Sequence, residues 1–297
     1  MISARSFDRE DLEYILKKGK EMLNVKNSNI LKGKILATLF FEPSTRTRLS
    51  FESAMYRLGG NVIGFQSGEV SSIKKGESLA DTIRTVENYC DCIVLRHRLE
   101  GAAKLAAKFA SIPIINAGSG SGEHPTQALL DLLTIKQECK SLDGINIGIM
   151  GDLKYGRTVH SLSILLSNFD INIYFISPAE LKMRQRYKEV LREREAKFKE
   201  VTNYRNLLDH LDVLYMTRIQ KERFVDVEEY ERVKNFYIFK RNDLKIAKEN
   251  FKLMHPLPRI NEISPEVDVH NDKAIYFKQT YYGLKMRQAI LSELLTD

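Results

Sequence analysis

From near its start to near its end the sequence alternates short β-branched runs with stretches of helical period, and this constrains the fold more than any other feature. A helix between two strands carries the chain back to the edge it started from, so such strands run parallel and both sheet faces are covered by helices. Lys34 to Phe41 reads as a strand, with a helix after it from Thr45 to Leu58. Asn61 to Gln66, Asp91 to Leu95 and Ile112 to Asn116 read as further strands, separated by helices over Ser78 to Tyr89 and Gly101 to Phe109. Each boundary carries Gly, Asn or Pro. A long apolar helix, Thr126 to Cys139, precedes a restart at Leu142-Asp143-Gly144. Beyond it Ile145 to Met150, Ile171 to Ile176, Val213 to Met216 and Lys252 to His255 read as strands. Thr158 to Asn168 and the charged segment Arg184 to Lys199 read as helices, and Leu284 to Leu295 as a closing helix. The expectation is an α/β protein of two doubly wound domains, each a mainly parallel sheet flanked by helices, with a cleft between them. Residues 1–140, completed by helix 284–297, would form one and residues 141–283 the other.

A length of 297 residues agrees with about two domains. With 43% apolar residues, such a chain can remove about three quarters of its unfolded surface from water, which excludes a disulfide-stapled miniprotein and a disordered tail. No apolar run approaches the roughly 18 residues of a membrane span, and the charged N-terminus lacks the apolar core of a secretion signal. A soluble, cytoplasmic protein is expected. Cys90, Cys92 and Cys139 suit neither a disulfide framework nor a structural zinc site. The 46 basic and 39 acidic residues leave a charge of 46 − 39 = +7. That excess is interleaved with acids and carries no zinc-finger or aromatic-basic RNA signature, so small anions are better partners than nucleic acid or a membrane.

Polar clusters recur just past the expected strand ends, where open α/β sheets bind their ligands. In Glu42-Pro-Ser-Thr-Arg-Thr-Arg48, Ser44 and Thr45 can cap a helix whose N-terminus attracts an anion, and Arg46 adds a planar, two-toothed phosphate contact. An ordinary capped, solvated basic turn is the lesser alternative for the same residues. No Walker loop occurs, which weighs against nucleotide hydrolysis. Gly118 to Gly122 does not match a dinucleotide loop; it reads as a pliable lead into His124-Pro-Thr-Gln127, with Pro125 in the first helical turn. His124 is then either a donor to a carbonyl oxygen or a structural cap, and Gln127 suits an amide-like group. Pro256 and Pro258 restrict His255-Pro-Leu-Pro-Arg259 and leave carbonyls able to accept from a substrate NH₂; a tight turn, with Leu257–Pro258 open to the cis form, is the plainer reading. Arg157, Arg218 and Gln220 fall in two further loops and suit carboxylates, while Glu42 and Glu222 stand ready to orient Arg157 or Arg223 across the cleft.

Seven strings in order resemble the catalytic chains of the aspartate carbamoyltransferases, over nearly the whole length: Ser44 to Arg48, Lys74 to Glu77 with Leu79 to Thr82, Arg96-His97, His124 to Gln127, Gly151 to Ser161, Thr217 to Arg223 and His255 to Arg259. The ornithine branch typically has Cys where Pro256 stands and a Ser-Met-Gly stretch absent here. The resemblance implies transfer of a carbamoyl group from carbamoyl phosphate to L-aspartate in pyrimidine synthesis, without metal or cofactor. It implies that Ser44, Thr45, Arg46, Thr47 and Arg96 hold the phosphate, and that Thr47, Arg96 and His124 face the carbonyl oxygen. Gln127 and the carbonyls around Pro256, Leu257 and Pro258 would hold the carbamoyl NH₂, and Arg157, Arg218 and Gln220 the aspartate. It further implies a homotrimer in which Ser71 and Lys75 enter the neighbouring subunit's site, Lys75 also meeting aspartate, working bare or with separate regulatory chains. Other readings of the same sequence are a carbamoyltransferase for another amine, and a silent scaffold or nucleic-acid binder.

Overall fold

The computed structural model describes residues 1–66, 76–224, 226–269 and 272–296. The chain divides into two compact units, Met1–Leu133 with Tyr281–Asp297, and Thr134–Thr280.

In unit one, α1 (Arg9–Met22) starts at a capping box in which Asp8 and Asp11 each accept the other's backbone N–H. Then follow β1 (Ile35–Phe40), α2 (Thr45–Arg57), β2 (Asn61–Phe65), α3 (Leu79–Val86), β3 (Cys92–His97), α4 (Ala102–Phe109), β4 (Ile114–Ser119) and α5 (Pro125–Cys139), which belongs to unit two from Thr134 onward. The strands lie in the order β2-β1-β3-β4, every pair parallel. β1 reads Ile-Leu-Ala-Thr-Leu-Phe with almost no polar alternation because it is central and covered on both faces. Ala37, Leu39, Ile93 and Leu95 pack with Ile83 of α3 and with Ala103 and Ala106 of α4. Each large apolar side chain so buried contributes about 1.5–3 kcal/mol relative to exposure.

Unit two repeats the plan with β5 (Asn146–Met150), α6 (Arg157–Leu166), β6 (Asn172–Ile176), α7 (Gln185–Glu193), β7 (Lys197–Val201), β8 (Val213–Met216), α8 (Val227–Val233), α9 (Asp243–Ile246), β9 (Lys252–Met254) and α10 (Tyr276–Leu295). Its sheet order is β7-β6-β5-β8-β9, again all parallel. A second core gathers Met150, Ile176, Leu214, Met216, Phe239, Phe251 and Leu253. From Tyr281 onward α10 belongs to unit one, where Met286, Ala289, Ile290 and Leu291 are buried.

Two expectations need correction. The charged helix expected to Lys199 ends at Glu193, and Lys197–Val201 forms β7 instead. Glu195 turns the chain at φ +55, a conformation usually signalled by glycine. The closing helix begins at Tyr276 and not near Leu284, running through Gly283. A Cβ at Gly283 would lie 2.9 Å from Nη1 of Arg287, so this glycine serves close packing and does not break the helix. The cysteines are free, and no described helix is long and apolar enough to cross a membrane.

Candidate functional site

Because β1, β3 and β4 are parallel neighbours, their carboxyl ends share one edge of the first sheet. β1 runs into the turn carrying Ser44, Thr45, Arg46 and Thr47, β3 ends on Arg96 and His97, and β4 leads through Gly120 to His124. The register places Phe40 opposite Arg96, and the Phe41 N–H donates to the Arg96 carbonyl at 2.9 Å. Arg96 Nε also stands 3.4 Å from a carboxylate oxygen of Glu42, which ties the turn after β1 to the end of β3.

Ser44 holds the N-cap position of α2 in extended conformation, but its hydroxyl makes no capping hydrogen bond. The hydroxyl expected to close the helix is thus not engaged there, while the first N–H groups of α2 open toward the same edge. Thr45 and Arg46 are exposed and Thr47 is buried at the start of the helix. Arg48 is engaged with Glu52 at 2.6 Å and Gln66 at 2.9 Å.

His124 is 3% exposed and sits immediately before Pro125, the first residue of α5. Its carbonyl accepts from the N–H groups of Gln127 and Ala128, and its Nδ1 faces the Thr126 hydroxyl at 3.4 Å. The approach to it is pinned from the N-terminal segment, where Ser3 Oγ and the Ala4 N–H both donate to Glu123. Gln127 donates its amide NH₂ to Asp131 at 2.9 Å, one helical turn on.

In unit two, β5, β8 and β9 are likewise parallel neighbours, so the loops bearing Arg157, Arg218 with Gln220, and Pro256-Leu257-Pro258 leave a common edge. Arg157 is the first residue of α6 and is buried. Arg218 forms a fork-to-fork pair with Glu222, one limb at 3.1 Å. Burial alone would raise the Glu222 carboxyl; the Arg218 guanidinium, with Arg223 nearby, holds it below the usual range.

Three supports in this unit lie inside strings that the sequence singled out, but no role for them was read there. Asp152, fully buried, accepts the Tyr155 N–H at 2.8 Å within the loop after β5, and the backbone N–H groups of Gln220, in the loop after β8, and of Lys154 favour its charged form. Gly151, at φ +120, lets those loops meet: a Cβ there would run into the Thr217 carbonyl. His255, 1% exposed, accepts the Leu257 N–H on Nδ1 at 2.8 Å, which places its proton on Nε2 facing Glu262 at 2.8 Å. Burial first, then Arg259 and Arg218, lower the affinity of His255 for a second proton, against the pull of Glu262. The imidazole is thus a neutral brace for a turn in which Leu257 has φ +57 and Leu257–Pro258 is cis. The one sequence signal for these supports was their place inside the loop strings already singled out.

Ser71 and Lys75 lie outside the described residues.

The family model described as aspartate/ornithine carbamoyltransferase, carbamoyl-P binding domain, matches residues 1–137, and that described as aspartate/ornithine carbamoyltransferase, Asp/Orn binding domain, matches residues 143–294. The aspartate carbamoyltransferase catalytic subunit of Thermococcus kodakarensis is 57% identical over 98% of this chain and 95% of its own length. Aspartate transcarbamoylase from Trypanosoma cruzi, solved in complex with carbamoyl aspartate and phosphate, superposes with a TM-score of 0.94 at 43% identity, covering 99% of this chain and 95% of that one. The catalytic subunit of M. jannaschii aspartate transcarbamoylase gives a TM-score of 0.90 at 52% identity, covering 99% and 97%. With both halves matched by its models and more than half the residues shared with a named member, the chain belongs to the aspartate/ornithine carbamoyltransferase family, on the side of the aspartate carbamoyltransferase catalytic subunits.

Proposed function

We propose that this chain transfers the carbamoyl group of carbamoyl phosphate to the α-amine of L-aspartate, giving N-carbamoyl-L-aspartate and phosphate, in the cytoplasmic synthesis of pyrimidines. Unit one takes the carbamoyl phosphate and unit two the aspartate. The observation that carries this reading is the convergence of the turn after β1, Arg96 and His124 on one sheet edge. A helix N-terminus, hydroxyls and guanidinium groups there suit a phosphate dianion.

Ser44, Thr45, Arg46, Thr47 and Arg96 hold the phosphate. Thr47, Arg96 and His124 face the carbonyl oxygen, and Gln127 meets the carbamoyl NH₂ together with the carbonyls around Pro256, Leu257 and Pro258. Arg157, Arg218 and Gln220 hold aspartate through its carboxylates.

The substrate is a mixed anhydride, so phosphate already leaves readily. The neutral α-amine of aspartate attacks the carbonyl carbon, an N–C bond forms, and negative charge collects on the carbonyl oxygen. Collapse breaks the bond from carbon to the bridging oxygen, and the departing phosphate takes the amine proton. Holding the two reactants in line supplies up to about 7–11 kcal/mol in well-oriented systems, and one oxyanion donor about 3 kcal/mol. His124 serves as that donor, with Arg96 and Thr47 beside it.

The working form is a homotrimer in which Ser71 and Lys75 of each chain reach a neighbour's site, Lys75 also meeting aspartate. Support comes from α2, whose first turn holds the phosphate residues and whose apolar Leu49 and Tyr56 are 58% and 60% exposed.

Assaying carbamoyl transfer to aspartate and to ornithine tests the reaction: turnover with aspartate is expected, and turnover confined to ornithine would overturn it. His124→Asn, which still donates, should retain more activity than His124→Ala; equal losses would remove the donor role.

A further inference from the structure

Beneath the expected substrate-facing residues of unit one lies a buried polar chain that the reaction scheme does not use. Gln127 and Asp131 stand four residues apart on one face of α5, and both are buried, Asp131 completely. The Gln127 amide NH₂ donates to Asp131 Oδ1 at 2.9 Å. An amide side chain has a donor end and an acceptor end of nearly the same shape, so packing alone scarcely fixes which way it faces. A carboxylate only accepts. Asp131 therefore holds the NH₂ end of Gln127, and the carbonyl oxygen is the end turned away from it.

Arg287 of α10 completes the arrangement. It is buried, its Nη1 donates to Ser50 Oγ of α2 at 2.8 Å, and its guanidinium lies 5.1 Å from the centre of the Phe51 ring. Burial pushes this guanidinium down to about 10, with the charge of Asp131 acting in the opposite direction. Asp131 is thus near enough to this guanidinium, in the same buried region, to favour its charged form. The glycine at position 283 makes room for the guanidinium between the helices.

We infer that Asp131 is a specificity-determining positioning residue: by fixing the polarity of the Gln127 amide, it makes the site read a hydrogen-bond donor on the acyl group, and so an NH₂ in preference to a methyl of equal size. This rests on the proposed meeting of Gln127 with the carbamoyl NH₂. Its chemical content is that Gln127 accepts. An amide free to turn would offer its own NH₂ to the substrate half the time, and two donors would then face each other.

Acetyl phosphate, with CH₃ in place of NH₂, is the discriminating probe. In Asp131→Asn the new amide can either donate to or accept from Gln127, so the polarity is no longer imposed. Carbamoyl transfer to aspartate should fall at least about twofold in kcat/KM, the loss expected when the acceptor end faces the substrate half the time, while acetyl transfer and the binding of inorganic phosphate stay unchanged. Asp131→Ser, whose hydroxyl also donates or accepts, gives the same pattern should the Asn variant fold poorly. In a Gln127→Ala background neither substitution should change the ratio between the two donors further, because Asp131 acts through Gln127. Equal losses with both donors, or a ratio that still changes without Gln127, would reduce Asp131 to a structural residue and overturn the inference. A wild-type chain that turns over no carbamoyl phosphate would instead bring down the functional reading on which it rests.

Discussion

His255 accepts the backbone N–H of Leu257 through Nδ1 while its Nε2 faces Glu262, so one neutral imidazole sets both the tautomer and the path of the turn that follows β9. Glu262 in turn accepts the N–H groups of Ile260 and Asn261, which closes the brace on itself. Replacing His255 with Ala leaves the Leu257 N–H and one oxygen of Glu262 without this hydrogen-bond partner, at a cost of about 1–3 kcal/mol. We expect His255→Ala to unfold at clearly lower urea concentration and, where folded, to bind carbamoyl phosphate more weakly. His255→Asn, which can still accept the Leu257 N–H, should recover part of both losses in unfolding curves and KM values.

Asp152 gives a pH dependence of definite sign. Burial pushes its carboxyl from 3.8 up to about 6, against three backbone N–H donors. The folded chain thus holds this proton more tightly than the unfolded chain does. Its stabilising contribution is full below the unfolded value and is lost as pH rises through about 6, a change of roughly 3 kcal/mol. Asp152→Asn does not titrate, so urea unfolding across this window should fall less steeply with pH in the variant than in the parent. Parallel profiles would show that Asp152 ionises inside the fold at no cost.

Arg218 and Arg157 should separate acceptor binding from donor binding. Arg218→Ala removes a planar fork from unit two and leaves the phosphate turn of unit one untouched. The KM for aspartate should rise at least about tenfold, and the inhibition constant of inorganic phosphate should stay within about twofold. Arg157→Lys keeps the charge but loses the fork, and its KM for aspartate should also rise. A weaker grip on phosphate in either variant would count against this division of labour.

The exposed apolar pair on α2 predicts an association surface. Tyr56→Glu combined with Leu49→Glu places two charges where a partner would exclude water, and sedimentation should show the proposed trimer in the parent and single chains in the variant. Activity should fall with it if, as proposed, each site is completed by a neighbouring chain. The unfolding midpoint of the separated chain should change little, because neither side chain is part of a core.

Much of the fold was legible because parallel strands covered on both faces are short apolar runs. Ile35–Phe40, Asn146–Met150 and Val213–Met216 are of that kind. β7 was not legible: Lys-Phe-Lys-Glu-Val lies at a sheet edge, mostly exposed, and its charges continue those of α7 without a glycine between them. The start of α10 was hidden by Gly283, which reads as a break until Arg287 is seen lying against it. The place of the candidate residues past strand ends was legible, since polar clusters there stand out against apolar surroundings. Their supports were not. Asp131, Asp152 and Glu262 are acids whose importance comes from partners brought close by folding, such as Gln127, the Gln220 N–H and His255. Local spacing carries no trace of those pairings.

The membership of Tyr281 onward in unit one has a bearing on how the chain is made. Residues emerge from the ribosome in order, and the first unit's interior lacks Met286, Ile290 and Leu291 until synthesis has passed residue 291. The second unit, encoded later, therefore has its own interior assembled sooner, and the nascent first sheet waits with an apolar flank exposed.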